Sequence, residues 1–114
     1  MEPVEAHRWR RRNGGPHETE PMVAELVSFA SRLDDSAILR TIDERIPQYR
    51  AVPGLIQKIY IHDPQTLDYG GIYVWESEAA LRAFRSSGLA RTLAAAYDTE
   101  GEPLVRRFEV ISIL

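Results

Sequence analysis

Two short segments place chemistry-bearing side chains at alternate positions. Lys58, Tyr60 and His62 stand two residues apart in LIQKIYIH (55–62), and Tyr73 and Trp75 do so in GGIYVWE (70–76). Alternation puts each set on one face of a strand. An amine set among apolar neighbours loses its proton readily and can steady an oxyanion. An imidazole titrates near neutrality and suits a general base. Phenol and indole groups combine an apolar body with a hydrogen-bonding tip. Together they suit proton abstraction from, or charge stabilisation on, a small aromatic molecule. Lys58 and His62 are thus the candidate catalytic groups, and Tyr60, Tyr73, Trp75 and Phe84 the candidate substrate contacts. Each has a plainer reading: Lys58 in an ion pair or reaching solvent, His62 solvated beside Asp63, and the aromatics as packing. Phe84, one helical turn from Leu81, reads first as helix–sheet core.

Other chemistries find no foothold. The chain has no cysteine, which removes disulfides, thiolate metal sites and thiol nucleophiles. His7 and His17 lie in the N-terminal segment, leaving His62 without a second histidine for a metal site. No HExxH, GxSxG or paired-carboxylate arrangement occurs, and Gly70-Gly71 precedes a strand rather than opening a helix, the wrong context for a phosphate cradle. No metal and no cofactor is expected. Lys58 is the single lysine among 14 basic residues.

The elements that must position these residues follow from periodicity. MVAELVSFASRL (22–33) reads as a first strand. Asp34, Asp35 and Ser36 supply N-cap chemistry for a helix carrying Ile38, Leu39, Ile42, Ile46 and Tyr49. Pro47 is expected to end or kink it near Arg45 and Ile46. Pro53-Gly54 marks a turn before strand 55–62, and Asp63-Pro64 opens a hairpin loop to strand 70–76. Ser77 caps a second helix, Gly88 breaks or bends it, and Leu89, Leu93 and Tyr97 continue a helical stripe. PLVRRFEVISIL (103–114) is the last strand. The order β-α-β-β-α-β is that of a ferredoxin-like α+β domain with a four-stranded antiparallel sheet and helices on one face.

Both faces of these strands are apolar. Ile56 joins Lys58, Tyr60 and His62, with Ile59 and Ile61 opposite. Phe108 and Val110 oppose Val105, Ile111 and Ile113. Arg106 and Arg107 fall on opposite faces, one free to reach the pocket or a carboxylate across a dimer. Two helices cover one face only, so the other needs a partner, and a second copy of the same sheet is the simplest. A homodimer through the sheet face is expected.

The 114 residues permit one domain. Residues 1–21, with the RWRRR cluster, two glycines and three prolines, lack apolar periodicity and are expected to be a disordered tail ahead of a domain at 22–114. The alternatives are an upstream extension of a chain starting at Met22, or a nucleic-acid contact through the arginines. A net charge of −3 gives no general pull toward nucleic acid. With no run near ~18 apolar residues and no secretory signal, a cytoplasmic protein is expected.

The stretch VPGLIQKIYIHDPQTLDYGGIYVWESEAALRAF resembles the YdhR-type monooxygenase family of the dimeric α/β-barrel superfamily. The resemblance rests on Pro53-Gly54-Leu55 with Lys58 three residues later, on Gly70-Gly71 followed by an aliphatic and Tyr73, and on Trp75-Glu76-Ser77 leading into a helix. It covers residues 22–114 in element order and is motif-level over about 53–84. It implies a ferredoxin-like fold and a face-to-face dimer. Its members are named by likeness to antibiotic-biosynthesis and quinol monooxygenases, which oxidise electron-rich aromatics without a bound cofactor. Trp75 also matches the tryptophan of haem-degrading relatives. Phe84 and Arg85 stand where those carry a histidine, and the first strand lacks their asparagine, so haem ligation is not implied.

The resemblance thus implies a cofactor-independent monooxygenase acting on a quinol-like molecule with dioxygen. Such chemistry needs an apolar pocket, a group that favours the substrate anion, and room for dioxygen. The alternatives on the same scaffold are a non-catalytic ligand-binding or stress-related dimer, and a cofactor-free isomerase or cyclase.

Overall fold

The computed structural model describes residues 20–114; the tail expected at 1–21 lies almost wholly outside them. Strand β1 spans Val23–Ser31, helix α1 Asp35–Arg50, β2 Leu55–His62, β3 Tyr69–Trp75, α2 Glu78–Arg85 and β4 Thr99–Glu109. Two single turns, α3 (Gly88–Arg91) and α4 (Leu93–Ala96), fill the stretch after α2. The sheet order is β2-β3-β1-β4, with every neighbouring pair antiparallel. This is the expected ferredoxin-like arrangement.

Local chemistry explains the helix starts. The Asp34 carboxylate accepts from the Ala37 amide at 2.8 Å, and the Ser77 hydroxyl from the Ala80 amide at 3.1 Å. Each satisfies one of the amides that a helix start leaves without an intrahelical partner. Ser87 does the same for α3 through the Ala90 amide. Gly88 therefore begins a helical turn rather than ending one.

Two boundaries and one strand register differ from expectation. Helix α1 runs through Pro47 to Arg50. Proline removes one hydrogen bond, to the carbonyl of Asp43, which is exposed, and only one turn remains beyond it. The last strand starts at Thr99 and stops at Glu109, because the Arg32 and Val110 amides bond to the Asp98 and Met22 carbonyls and so mark the two ends of β1. Ile111 to Leu114 continue past the sheet with exposed side chains.

The third difference is a bulge. Leu55 pairs with Trp75 and Gln57 with Val74, leaving Ile56 without a partner in β3. Leu55, rather than Ile56, therefore shares the row of Lys58 and Tyr60. That row faces the helices beside Tyr73 and Trp75 of β3 and Val23, Glu25 and Val27 of β1. Trp75, Ile38 and Leu81 are fully buried at the centre of the layer between sheet and helices. On the opposite face Ile59, Leu104 and Phe108 remain 42%, 63% and 43% exposed.

Candidate active site

Lys58 lies in the middle of β2 with its ammonium nitrogen against three tyrosine rings. Nζ stands 3.3 Å from the centroid of Tyr49, 4.3 Å from Tyr60 and 4.6 Å from Tyr73. Gly71, opposite Tyr60 and diagonal to Lys58, makes room for this: a Cβ there would stand 3.3 Å from Lys58 Cε. Lys58 has no ion-pair partner among the described residues. Desolvation, and then the charge of Arg45, push its pKa down to about 7.

Two adjoining spaces meet at Lys58 and Tyr60. The inner one, about 20 Å³, is walled by Val27, Phe29, Ile38, Tyr73 and Tyr97 among others. It holds about one water-sized molecule. The outer cleft, about 400 Å³, lies between α1 and β2 and is lined by Ile46, Tyr49, Arg50 and Leu55 to Lys58. Neither lining contains a carboxylate.

The phenols are held protonated. Burial raises Tyr60 to about 12, with Tyr49 adding to the effect and Arg45 opposing it. Burial and then Tyr49 raise Tyr73 further still. Tyr49 and Tyr73 share a long hydroxyl contact at 3.5 Å, whereas the Tyr60 hydroxyl is buried with no partner among the described residues.

The structure brings Lys58, Tyr60 and Tyr73 together and sets the other candidates apart. His62 is exposed at the end of β2, stacked on Tyr69 with ring centroids 4.4 Å apart, and lines neither space. Trp75 is buried beneath Tyr73 and Phe84, at 6.0 and 5.0 Å between centroids, and its indole N–H has no partner among the described residues. Phe84 is buried behind the lysine cage against the rings of Tyr49 and Tyr73, at 5.9 and 5.8 Å, and borders an apolar groove between α1 and α2 that Lys58 does not line. Arg107 bonds to Glu78 of α2, while Arg106 lies over Phe108 at 5.0 Å.

Two site residues on α1 are absent from the sequence reading of the site. Tyr49 forms one wall of the lysine cage. Arg45 is 9% exposed, donates to the Leu89 carbonyl at 2.7 Å and to the Thr92 hydroxyl at 3.3 Å, and stands near the rings of Tyr49 and Tyr97. The signal was present: positions 38, 42, 45 and 49 form one helical stripe. An arginine inside that stripe marks a buried charge. Tyr49 reads as one more apolar position of that stripe, and only the packing of α1 against β2 brings it to Lys58.

The pattern of residues 27–110 matches the family described as "Putative mono-oxygenase ydhR". The chain belongs to the YdhR family. Solved structures agree in fold. A protein of unknown function from Nitrosomonas europaea, NE2512, superposes with a TM-score of 0.69 at 15% identity, over 82% of this chain and 93% of that one. Rv0793 from Mycobacterium tuberculosis gives 0.66 at 20% identity, over 81% and 97%. SnoaB, a cofactor-independent oxygenase from Streptomyces nogalater, gives 0.66 at 14% identity, over 82% and 97%. A search of curated proteins finds no significant match. Family membership supports a monooxygenase-like function.

Proposed function

We propose that the YdhR-family chain is a cofactor-independent monooxygenase that oxidises a small electron-rich aromatic or quinol-like molecule. The observation that carries this reading is Lys58, a half-buried cation without a carboxylate, standing where the inner space meets the outer cleft. A cleft of this size suits a small aromatic ligand. The inner space suits dioxygen, being about the size of one small molecule. A hydroxyl group of the substrate placed near Lys58 is favoured as the oxyanion, because the amine gains a counter-charge in a low-dielectric site. The electrons then come from that anion, and the aromatic walls orient its ring. His62 keeps a role only at the rim, as a proton acceptor through solvent.

The open sheet face supports a homodimer. Ile59, Leu104 and Phe108, with Leu26 and Ile72 between them, form a patch that a second copy would cover. The cysteine-free chain is suited to the cytoplasm, and among the described residues no helix is long and apolar enough to cross a membrane.

The test is oxygen uptake by the full chain with a panel of hydroquinones and anthrones. Uptake that depends on the protein and falls at least about tenfold in Lys58→Met supports the reading. Turnover of an isomerisable aromatic without oxygen uptake would replace it with isomerase chemistry. No turnover with any member would favour a ligand-binding dimer. Native mass spectrometry reads the dimer directly, and a stable monomer at micromolar concentration would exclude it.

A further inference from the structure

A lysine amine attacks a carbonyl only when three conditions hold. It must be unprotonated near neutrality, reachable by the carbonyl compound, and free of a carboxylate that would hold its proton. Lys58 meets all three. It borders the outer cleft, and no carboxylate shares the lining. Desolvation and the neighbouring Arg45 favour the neutral amine. The charged and titratable groups around it are Arg45, Tyr49 and Arg50 from α1, Tyr60 from β2, Tyr69 and Tyr73 from β3, and Tyr97 after α4. Glu25 lies beyond Tyr73 and is engaged by Arg85 at 2.6 Å. The tyrosine ring faces attract the ammonium, so the amine stays close to its balance point rather than far from it.

We propose that Lys58 is a nucleophile that captures an aldehyde or ketone in the outer cleft as an imine. The Nζ lone pair forms the C–N bond while the carbonyl π pair moves to oxygen. That oxygen takes a proton, with the unpartnered Tyr60 hydroxyl as the nearby donor. The nitrogen returns a proton to the Tyr60 oxygen, which gives the neutral carbinolamine. The nitrogen's second proton passes to the hydroxyl by the same relay, the C–O bond breaks with loss of water, and the nitrogen lone pair closes the C=N bond. No oxidant or reductant is needed. The inference shares with the oxygenase reading the assignment of this cleft as the ligand site, and it adds carbonyl compounds as a ligand class.

The single lysine makes the test clean. The full chain is incubated with benzaldehyde and sodium cyanoborohydride at pH 7 without oxygen, and the reduced adduct is located by peptide mass mapping. One benzyl group at Lys58 is expected, forming at least about tenfold faster than on Nα-acetyl-lysine. The rate should rise with pH and level off above about 7. Tyr60→Phe should slow it while leaving the adduct at Lys58. Labelling confined to the N-terminal amine, or labelling of Lys58 no faster than the free amino acid, would overturn the inference. Imine formation without oxygen uptake in the quinol assay would leave this inference standing and remove the oxygenase; uptake without imine formation would do the reverse.

Discussion

Two charges, one buried and one half-buried, flank one tyrosine and are treated in opposite ways. Tyr73 is paired in register with Glu25 on one side and with Lys58 on the other. Glu25, 4% exposed, reaches away from the lysine to Arg85 of α2. Lys58 receives no carboxylate, only ring faces and an open cleft. A carboxylate and an amine on one sheet face, one strand apart, could have neutralised each other; they do not. Glu25–Arg85 is therefore a settled structural pair joining sheet to helix, and Lys58 is left chemically uncommitted. Uncompensated buried charge costs stability, and such a cost is commonly retained where a ligand will use it.

The largest expected effect tests the settled side. Arg85→Ala strands the Glu25 carboxylate and should lower unfolding free energy by about 2–3 kcal/mol in urea titrations, at the low end for a buried pair because Arg85 itself is half exposed. A loss below about 0.5 kcal/mol would show that the two charges are less different than the geometry says.

Lys58→Met removes the uncommitted charge at similar volume. Its stability should rise at pH 7, by about 1–3 kcal/mol, even as carbonyl capture and oxygen uptake disappear. Strong destabilisation would recast Lys58 as structural.

The pH dependence separates the charges further. The folded pKa of Lys58 is about 7 against 10.5 in the open chain. Between those values the unfolded chain holds a proton that the folded one lacks, so stability rises with pH, by at most about 1 kcal/mol per unit. Below about 7 both forms are protonated and the penalty is constant. Above about 10 the buried tyrosines, whose raised pKa values keep them protonated in the fold, reverse the trend. Urea midpoints at pH 7, 8 and 9 should climb in the natural chain and stay flat in Lys58→Met. Tyr60→Phe comes last, within about 0.5 kcal/mol by thermal unfolding, since its hydroxyl loses no hydrogen bond to the protein.

Much of this was legible in the sequence. Alternation in 55–62 and 70–76 located β2 and β3 and put Lys58, Tyr60, Tyr73 and Trp75 among the candidates, because pleated strands convert parity directly into facing. Helix starts were legible because Asp34 and Ser77 carry their own capping chemistry. What escaped lies in tertiary packing. Pro47 reads as a terminator, yet a helix can lose one hydrogen bond to an exposed carbonyl and continue. Tyr49 reads as one more apolar helix position, and only the packing of α1 against β2 brings it and Arg45 to Lys58. The alternation that grouped His62 with Lys58 was correct as parity, but distance along the strand carries His62 to an exposed position beside Tyr69. Alternation places Glu25 in the row of Val23, Val27 and Phe29, but its partner is legible only once α2 places Arg85 over it.

The unpaired residue in β2 has a bearing on how this chain tolerates changes of length. Loss of one residue from a paired strand ordinarily turns every following side chain to the wrong side of the sheet. Ile56 is spare: without it, Leu55, Gln57 and Lys58 would follow the unbroken ladder of Trp75, Val74 and Tyr73. A shortened chain lacking Ile56 should keep Lys58 among its tyrosines, whereas one lacking Ile59 would send Tyr60 to the far face. Indels in this strand are thus filtered by position, and the lysine sits just downstream of the slot where β2 can absorb a deletion.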